Sequence, residues 1–251
     1  MPVRTSSGRE LRRAFIADEG CGLLTADYSQ IELRVMAHLA EDPGLIEAFE
    51  RGADIHTTTA ARVFGVADEK KVDDFQRRFA KVVNYGLAYG MEAYGLAQRL
   101  DIATEQAREI LDAYFVAFPN IAAYMRETVR EARATGYTTT LFGRRRQLPE
   151  LSSDNFRIRQ MGERMAQNAP VQGSAADIFK LAMIDLDRAL AAGEFRSRMV
   201  LTVHDELVLE VPLDERDRVE PIVRDVMESA AELRVPLVVD LGFGPNWAQA
   251  K

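Results

Sequence analysis

The chain has 251 residues, 47% of them hydrophobic, enough to bury one large core or two modest ones. Its formal net charge of −7 excludes a protein that coats nucleic acid by bulk attraction, and its one cysteine, Cys21, excludes an intramolecular disulfide framework and fits a reducing cytosol. Residues 1–13 are polar and basic without a signal-peptide core, and no run approaches the ~18 apolar residues of a membrane span, so a soluble, cytoplasmic protein with no membrane partner is expected.

The chain opens with a polar lead-in over residues 1–22. Gly22-Leu23-Leu24-Thr25-Ala26-Asp27 is a short apolar run ending in an acid, which predicts a buried strand. Ser29 is placed to cap a helix over 31–39, with Glu32 three residues past the cap, as in a capping box. Asp27 therefore lies where strand gives way to helix. Taken singly, a solvated turn acid is the better account of Asp27 and a capping partner the better account of Glu32.

From residue 42 to 147 the pattern is mostly helical. Pro43-Gly44 breaks the first helix, Asp54-Ile55-His56 opens another, and a helix over 72–87 carries a stripe made of Arg77, Lys81, Tyr85 and Tyr89. Each step of four drifts only about 40° around a helix, so these side chains share one slanted face. Two cations lead and two phenols follow, which suits a nucleoside triphosphate. Arg77 and Lys81 would hold phosphates, aided by the helix N-terminus, while Tyr85 and Tyr89 meet sugar and base. An ordinary amphipathic helix with snorkelling cations gives the same pattern. Thr104 reads as the N-cap of a helix over 105–118, and Pro119 starts another reaching residue 134. Residues 137–143 predict a short hairpin ending in Arg144-Arg145-Arg146. Between Arg126 and Arg164, nine arginines face five acids, a modest basic surface on an acidic protein.

Residues 165–193 read as a helix interrupted near Pro170 and Gly173, with Arg164, Asn168 and Gln172 forming a polar row at spacing four. Runs over 199–203 and 207–211 predict a hairpin around a three-residue tip, His204-Asp205-Glu206. That tip holds no Gly, Asn or Pro and crowds two acids beside a histidine, which turn chemistry does not ask for. A helix over 219–233 and a strand over 237–241 precede the closing Gly242-Phe243-Gly244-Pro245-Asn246-Trp247.

Two strands thus present Asp27 and Asp205 at their ends, around a helical block rich in cations and aromatics. Paired carboxylates can share two divalent ions ~3.5–4 Å apart, activating an attacking oxygen and stabilising a leaving one. Hard oxygen ligands point to Mg²⁺, and His38, His56 and His204 are too scattered along the chain to suggest zinc. Taken alone, the paired aspartates also permit a two-metal phosphodiester hydrolase, which ranks last because it gives no reason for a phosphate-to-base stripe on a separate helix.

Asp27-Tyr28-Ser29-Gln30-Ile31-Glu32-Leu33-Arg34 resembles motif A of the family A DNA polymerases, the bacterial polymerase I type. The stripe resembles their motif B on the fingers helix, and Val203-His204-Asp205-Glu206 resembles motif C. Gln167-Asn168-Ala169-Pro170-Val171-Gln172-Gly173 matches a further segment, and the motifs stand in the family's order over nearly the whole chain. The resemblance implies an α/β (α+β) fold: a mixed, largely antiparallel palm sheet with packed helices, plus a mostly helical fingers subdomain. Residues 1–40 would be palm with motif A, 41–155 fingers, and 156–251 palm with the motif C hairpin.

The implied activity is template-directed DNA synthesis, by attack of a primer 3′-hydroxyl on the α-phosphate of a dNTP with two Mg²⁺ ions. The resemblance makes Asp27 and Asp205 the metal-binding catalytic aspartates, with the Tyr28 carbonyl as a ligand and Glu206 in support. Lys81 joins the catalytic set, and Glu32 is the steric gate against a ribose 2′-hydroxyl. Gln30, His56, Arg77 and Lys81 contact the incoming nucleotide, Tyr85 lies against its sugar, and Tyr89 packs by the templating base. Arg4, Arg164, Asn168, Gln172 and His204 touch primer-template DNA. The chain would hold fingers and most of the palm without thumb or nuclease domains, so the upstream polymerase segment is an expected partner and the nucleoid an expected location. A nucleotide or primer-template binding module, inactive alone, is the alternative from another class. Many members of the family carry phenylalanine at the position of Tyr85, and tyrosine there goes with acceptance of dideoxynucleotides; a phenol supplies a hydrogen bond where the 3′-hydroxyl is missing. Full-length polymerase carrying Tyr85 is expected to discriminate weakly against dideoxynucleotides and its Tyr85→Phe variant strongly, as read by competitive incorporation; equal discrimination would defeat the expectation.

Overall fold

A computed structural model describes residues 6–88 and 90–250; the predicted contacts Arg4 and Tyr89 lie outside the described residues. The apolar run near residue 22 forms strand β1 (Cys21–Tyr28), longer by a residue at each end than predicted and buried along most of its length. Three more strands join it: β4 (Arg198–Val203), β5 (Glu206–Pro212) and β6 (Val239–Gly244), in the order β4-β5-β1-β6, every pairing antiparallel. Both faces of the two central strands are covered, which is why they read as continuous apolar runs rather than as alternation. This sheet lies in one compact unit, made of the described residues within 6–31, 178–232 and 237–250.

Helix α10 (Arg216–Glu228) and the C-terminal part of α9 (Phe156–Ala192) cover one face. There the Tyr28 hydroxyl donates to the Met227 carbonyl at 2.6 Å, and its ring meets Phe179 edge-on at 6.3 Å. On the other face Leu23 and Val208 pack with Trp247 and Ala250 from the closing segment. The Thr25 hydroxyl donates to the Ala250 carbonyl at 2.6 Å, and a methyl group at Gly242 would lie 1.9 Å from that same oxygen, so only glycine admits the tail. The closing segment is in turn tied to residues 15–17, where Trp247 N–H donates to the Phe15 carbonyl at 2.9 Å and Ile16 bridges Asn246. The polar lead-in contains a helix that the sequence reading left out, α1 (Ser6–Arg13). It has no apolar repeat, and among its described side chains the buried one is an arginine, Arg12, between exposed Leu11 and exposed Arg13.

The second unit, residues 32–177 and 233–236, is built mostly of helices. They are α2 (Ile31–Ala40), α3 (Pro43–Glu50), α4 (Ile55–Phe64), α5 (Asp74–Ala88), α6 (Ala93–Leu100), α7 (Thr104–Ala117) and α8 (Pro119–Thr135), followed by hairpin β2 (Tyr137–Thr139) and β3 (Arg145–Gln147) and the N-terminal part of α9. Several expectations are corrected here. Pro43 opens a helix as well as ending one: the Asp42 side chain accepts from the Gly44 and Leu45 amides, and proline sits at the first position, where its missing N–H costs nothing. Thr104 is inside its helix, capped instead at Ala103, whose N–H donates to the Gln106 side chain at 3.3 Å. Neither Pro170 nor Gly173 interrupts α9, which is continuous for 37 residues. Proline there removes one hydrogen bond, and Ser174 Oγ donates back to the Pro170 carbonyl at 2.6 Å within a buried neighbourhood that holds the helix together. The strands of the basic hairpin are shorter than predicted, and Leu141 and Phe142 fall in its turn. Finally, α10 stops at Glu228 and the last strand starts at Val239, each displaced from its predicted bounds.

Glu215, buried at the start of α10, links that helix to β4. Its carboxylate accepts from the Arg196 and Ser197 amides, the Ser197 hydroxyl and Arg196 Nε. Burial raises its pKa, but these hydrogen bonds outweigh it and bring the group from 4.5 down to about 2. A carboxylate depressed in the folded state contributes stability that is complete above pH 4.5 and lost as the pH falls toward 2. Glu215→Gln is expected to melt lower than the parent at neutral pH, with the gap closing across that window in a pH series of thermal melts; a gap that stays constant would refute the assignment.

Candidate active site

The register of the sheet assembles the first group of residues. Asp27 of β1 stands directly opposite Glu206 of β5 on one side and Asp240 of β6 on the other. Directly opposed residues point to the same face, so three carboxyl residues from distant parts of the chain form one row across three strands. Asp205 adjoins the row, since the Tyr28 N–H donates to the Asp205 carbonyl at 3.3 Å. Asp27 and Asp205 are half-buried and His204 is exposed. Here the hairpin reading is corrected: the tip has two residues, His204 and Asp205, and Glu206 is the first residue of β5, paired with both Val203 and Asp27. Sequence reasoning missed Asp240, because its partner is set by strand order and register rather than by neighbours in sequence.

Two backbone positions beside the row are strained. His204 has φ 57° and Gln30 has φ 59°, left-handed values that glycine or asparagine usually takes. The first lets the β4–β5 loop close in two residues, and the second lies between β1 and α2. Such strain collects where a backbone is held for function.

Glu206 is almost fully buried. Trp247 Nε1 donates to its Oε1, and Arg12 Nη1 lies 3.6 Å from its Oε2, both ionic side chains being 4% exposed. The Arg12 guanidinium stacks over the Trp247 ring, 3.9 Å from its centroid, and Phe15 meets that ring edge-on at 5.5 Å. Neither Arg12 nor Trp247 was singled out from the sequence. Among the described residues no group of three or more His, Cys, Asp or Glu closes around a cation. The donors at this end of the sheet are carboxylates beside main-chain oxygens, a hard set that fits a hard divalent cation rather than a soft metal.

The second group is in the helical unit. Helix α5 is capped by Asp73, whose side chain accepts from Gln76 N–H at 2.7 Å while the Gln76 side chain accepts from Asp73 N–H at 3.2 Å. A carboxylate thus already answers the helix N-terminus where the sequence reading expected help for a phosphate. Arg77 and Lys81 are exposed and Tyr85 half-buried, while Phe79, Ala80, Val83 and Leu87 face the core, so these three residues of the stripe lie on one outer face of α5. Arg77 Nε donates to Asp54 Oδ2 at 2.5 Å, and among the described residues its other guanidinium nitrogens are left for an anion. Glu32, in the first turn of α2, is half-buried.

His56, next to the cap of α4, is 2% exposed and packs at 5.5 Å from the Tyr85 ring. Asn84 Nδ2 lies 3.1 Å from His56 Nδ1 and 3.0 Å from Thr59 Oγ1. With the amide donating, the imidazole keeps its proton on Nε2 and has one N–H to offer. Burial, with Lys81 and Arg77 adding to it and Asp54 opposing, lowers its pKa to about 4.

Arg164, Asn168 and Gln172 lie on one half-buried face of α9. Arg164 pairs with Glu92 at 3.5 Å. Gly90, at φ 66°, closes on this row: a methyl group there would lie 2.9 Å from Asn168 Oδ1 and 3.2 Å from the Arg164 carbonyl. The basic hairpin is anchored by Asp177, which pairs with Arg144 and accepts from Thr140 Oγ1 at 2.8 Å, leaving Arg145 and Arg146 exposed.

Comparison with known proteins adds an independent line. The family description "DNA polymerase family A" matches residues 1–249. The chain is 53% identical over 251 residues to DNA polymerase I of Mycobacterium bovis, all of this chain against 28% of that protein. It is 52% identical over 252 residues to DNA polymerase I of Geobacillus stearothermophilus, covering 29% of it. Among solved structures, the polymerase domain of Pol1 from M. smegmatis, in complex with DNA primer-template and dNTP, superposes with a TM-score of 0.95 at 51% identity, over 99% of this chain and 44% of that one. The chain thus spans less than a third of the curated relatives it matches.

Because the folded state refuses a proton that the unfolded chain takes up near pH 6.5, stability should fall as the pH drops from 6.5 toward 4. The His56 imidazole signal, followed by NMR, is expected to titrate near pH 4, and His56→Gln to remove this limb of the stability profile. A midpoint near 6.5 would mean that the ring is not held neutral by burial.

Proposed function

The chain belongs to DNA polymerase family A, and from that membership we propose that it carries the nucleotidyl-transfer residues of a template-directed DNA polymerase working in the cytoplasm at the nucleoid. The observation that carries the reading is the pairing of β1 with β5, which brings Asp27 and Asp205, 178 positions apart, to one end of a sheet. Residues 1–40 and 156–251 are assigned to the palm and 41–155 to the fingers.

Family A polymerases are metal-dependent, and we assign two Mg²⁺ ions to Asp27, Asp205 and the Tyr28 carbonyl. When bound there, a divalent ion supplies Lewis acidity and neutralises phosphate charge. The protein's own contribution is positioning. Lys81 and the free nitrogens of Arg77 hold the triphosphate of an incoming dNTP, and neutral His56 donates its Nε2–H to a phosphate oxygen without adding charge. Gln30 joins these contacts from its strained position after β1. Tyr85, braced by His56, and Glu32 limit the space around the sugar, which excludes a ribose 2′-hydroxyl. Tyr89 packs by the templating base. Arg164, Asn168 and Gln172 on α9, with Arg4 and His204, hold primer-template DNA, and exposed Arg145 and Arg146 add phosphate contacts. Glu206 supports the aspartates from within the core. Full grip on DNA is proposed to need an upstream polymerase segment.

The deciding experiment is single-nucleotide primer extension with Mg²⁺ at low salt and high protein concentration. Extension by the parent chain is expected, falling at least about 10³-fold in Asp205→Ala, the scale of losing a main source of transition-state charge stabilisation. No extension with triphosphate still bound would leave a binding module that needs its upstream segment. Cleavage of DNA without nucleotides would point instead to a hydrolase.

A further inference from the structure

We propose that Arg12 and Trp247 are positioning residues for the acidic row: by holding the Glu206 carboxylate they fix the start of β5 and the His204–Asp205 turn in the arrangement that lets Asp27 and Asp205 take a divalent cation. The inference rests on the polymerase reading of this end of the sheet, and it gives work to two residues that reading leaves idle.

Like charges directly opposite across a strand pair repel, and Asp27 faces Glu206 in register. Left alone, Glu206 would turn away or push the turn out of place. Instead both of its oxygens are engaged from the core side, Oε1 by the indole N–H and Oε2 by the guanidinium at 3.6 Å. The holders are themselves held: Arg12 stacks on Trp247 at 3.9 Å, and Trp247 is fastened by its own N–H to Phe15 at 2.9 Å. Residues from both ends of the chain therefore meet on one carboxylate, two positions from the turn residue His204 and next to Asp205.

Stability alone does not account for this choice. Arg12 Nε and Nη1 are buried and find no hydrogen-bond acceptor among the described residues. A buried guanidinium with unmet N–H groups is costly; a merely structural purpose would be served better by apolar side chains in place of both Arg12 and Glu206, whereas the retained Glu206 carboxylate needs a partner. What the position uses is the charge and the flat face. Outer residues of this kind orient ligands they do not touch, and losing them typically weakens metal affinity about 10–100-fold.

The test uses the whole chain with Mn²⁺ as probe, bound ion being counted by electron paramagnetic resonance. Arg12→Met, Arg12→Lys and Trp247→Phe are compared with the parent, with Asp205→Ala as the control that should abolish the site. Arg12→Met is expected to melt cooperatively but at a lower temperature than the parent, since Glu206 loses its buried partner, and to bind Mn²⁺ about tenfold more weakly, with Arg12→Lys restoring part of both losses. Where nucleotide incorporation is measurable, kcat should fall while KM for the dNTP changes little. Mn²⁺ affinity within twofold of the parent in a folded Arg12→Met would overturn the proposal; if that variant does not fold, Trp247→Phe decides by the same criterion. A parent that binds Mn²⁺ through Asp205 but incorporates nothing would count against polymerase activity of this chain and leave the positioning role standing. A parent with no Asp205-dependent Mn²⁺ site would overturn the positioning role itself.

Discussion

The register between β1 and β5 is the constraint on which the sheet unit depends. Side chains alternate along a strand, so a slip of one residue would send Asp27 into the layer where Leu24 and Ala26 pack and turn those residues toward the row. The same register that buries the apolar set therefore also fixes the acids. Burial and chemistry are not separate demands here; one pairing meets both, and the electrostatic penalty of opposed carboxylates is met locally by Arg12 and the Trp247 indole.

The helical unit solves a different problem, that of presenting cations without letting them scatter. Asp73 and Gln76 cap α5, Asp54 caps α4 and at the same time steers Arg77, and Asn84 fixes the His56 ring against Tyr85. Arg77 and His56 are each oriented by a second polar group beside them. A neutral histidine suits this setting: near two cations it adds nothing to their mutual repulsion.

Much of this was legible because it is local. The strand ending in Asp27, the helix carrying Arg77, Lys81 and Tyr85, and the hairpin beside Asp205 all follow from periodicity within a dozen residues. The errors share a cause in long-range context. Pro170 looks like a break, yet packing along α9 outweighs one missing hydrogen bond. Glu206 looks like part of a polar tip, yet it is paired in a strand and enclosed by residues from both ends of the chain. Arg12 carries no signal at all, since a basic residue in a basic helix predicts exposure. Asp240 needs the strand order before it means anything.

The His204–Asp205 loop also bears on how the chain folds. Two-residue hairpin loops close readily when glycine or asparagine takes the left-handed position, and here a histidine takes it at φ 57°. The β4–β5 hairpin is therefore a poor nucleus by itself. Its register is secured only when β1, far earlier in the chain, lies against β5, so the sheet must wait for a contact of high sequence separation, which slows folding. During synthesis β1 emerges long before its partners, and its apolar length must be kept from other company until they arrive.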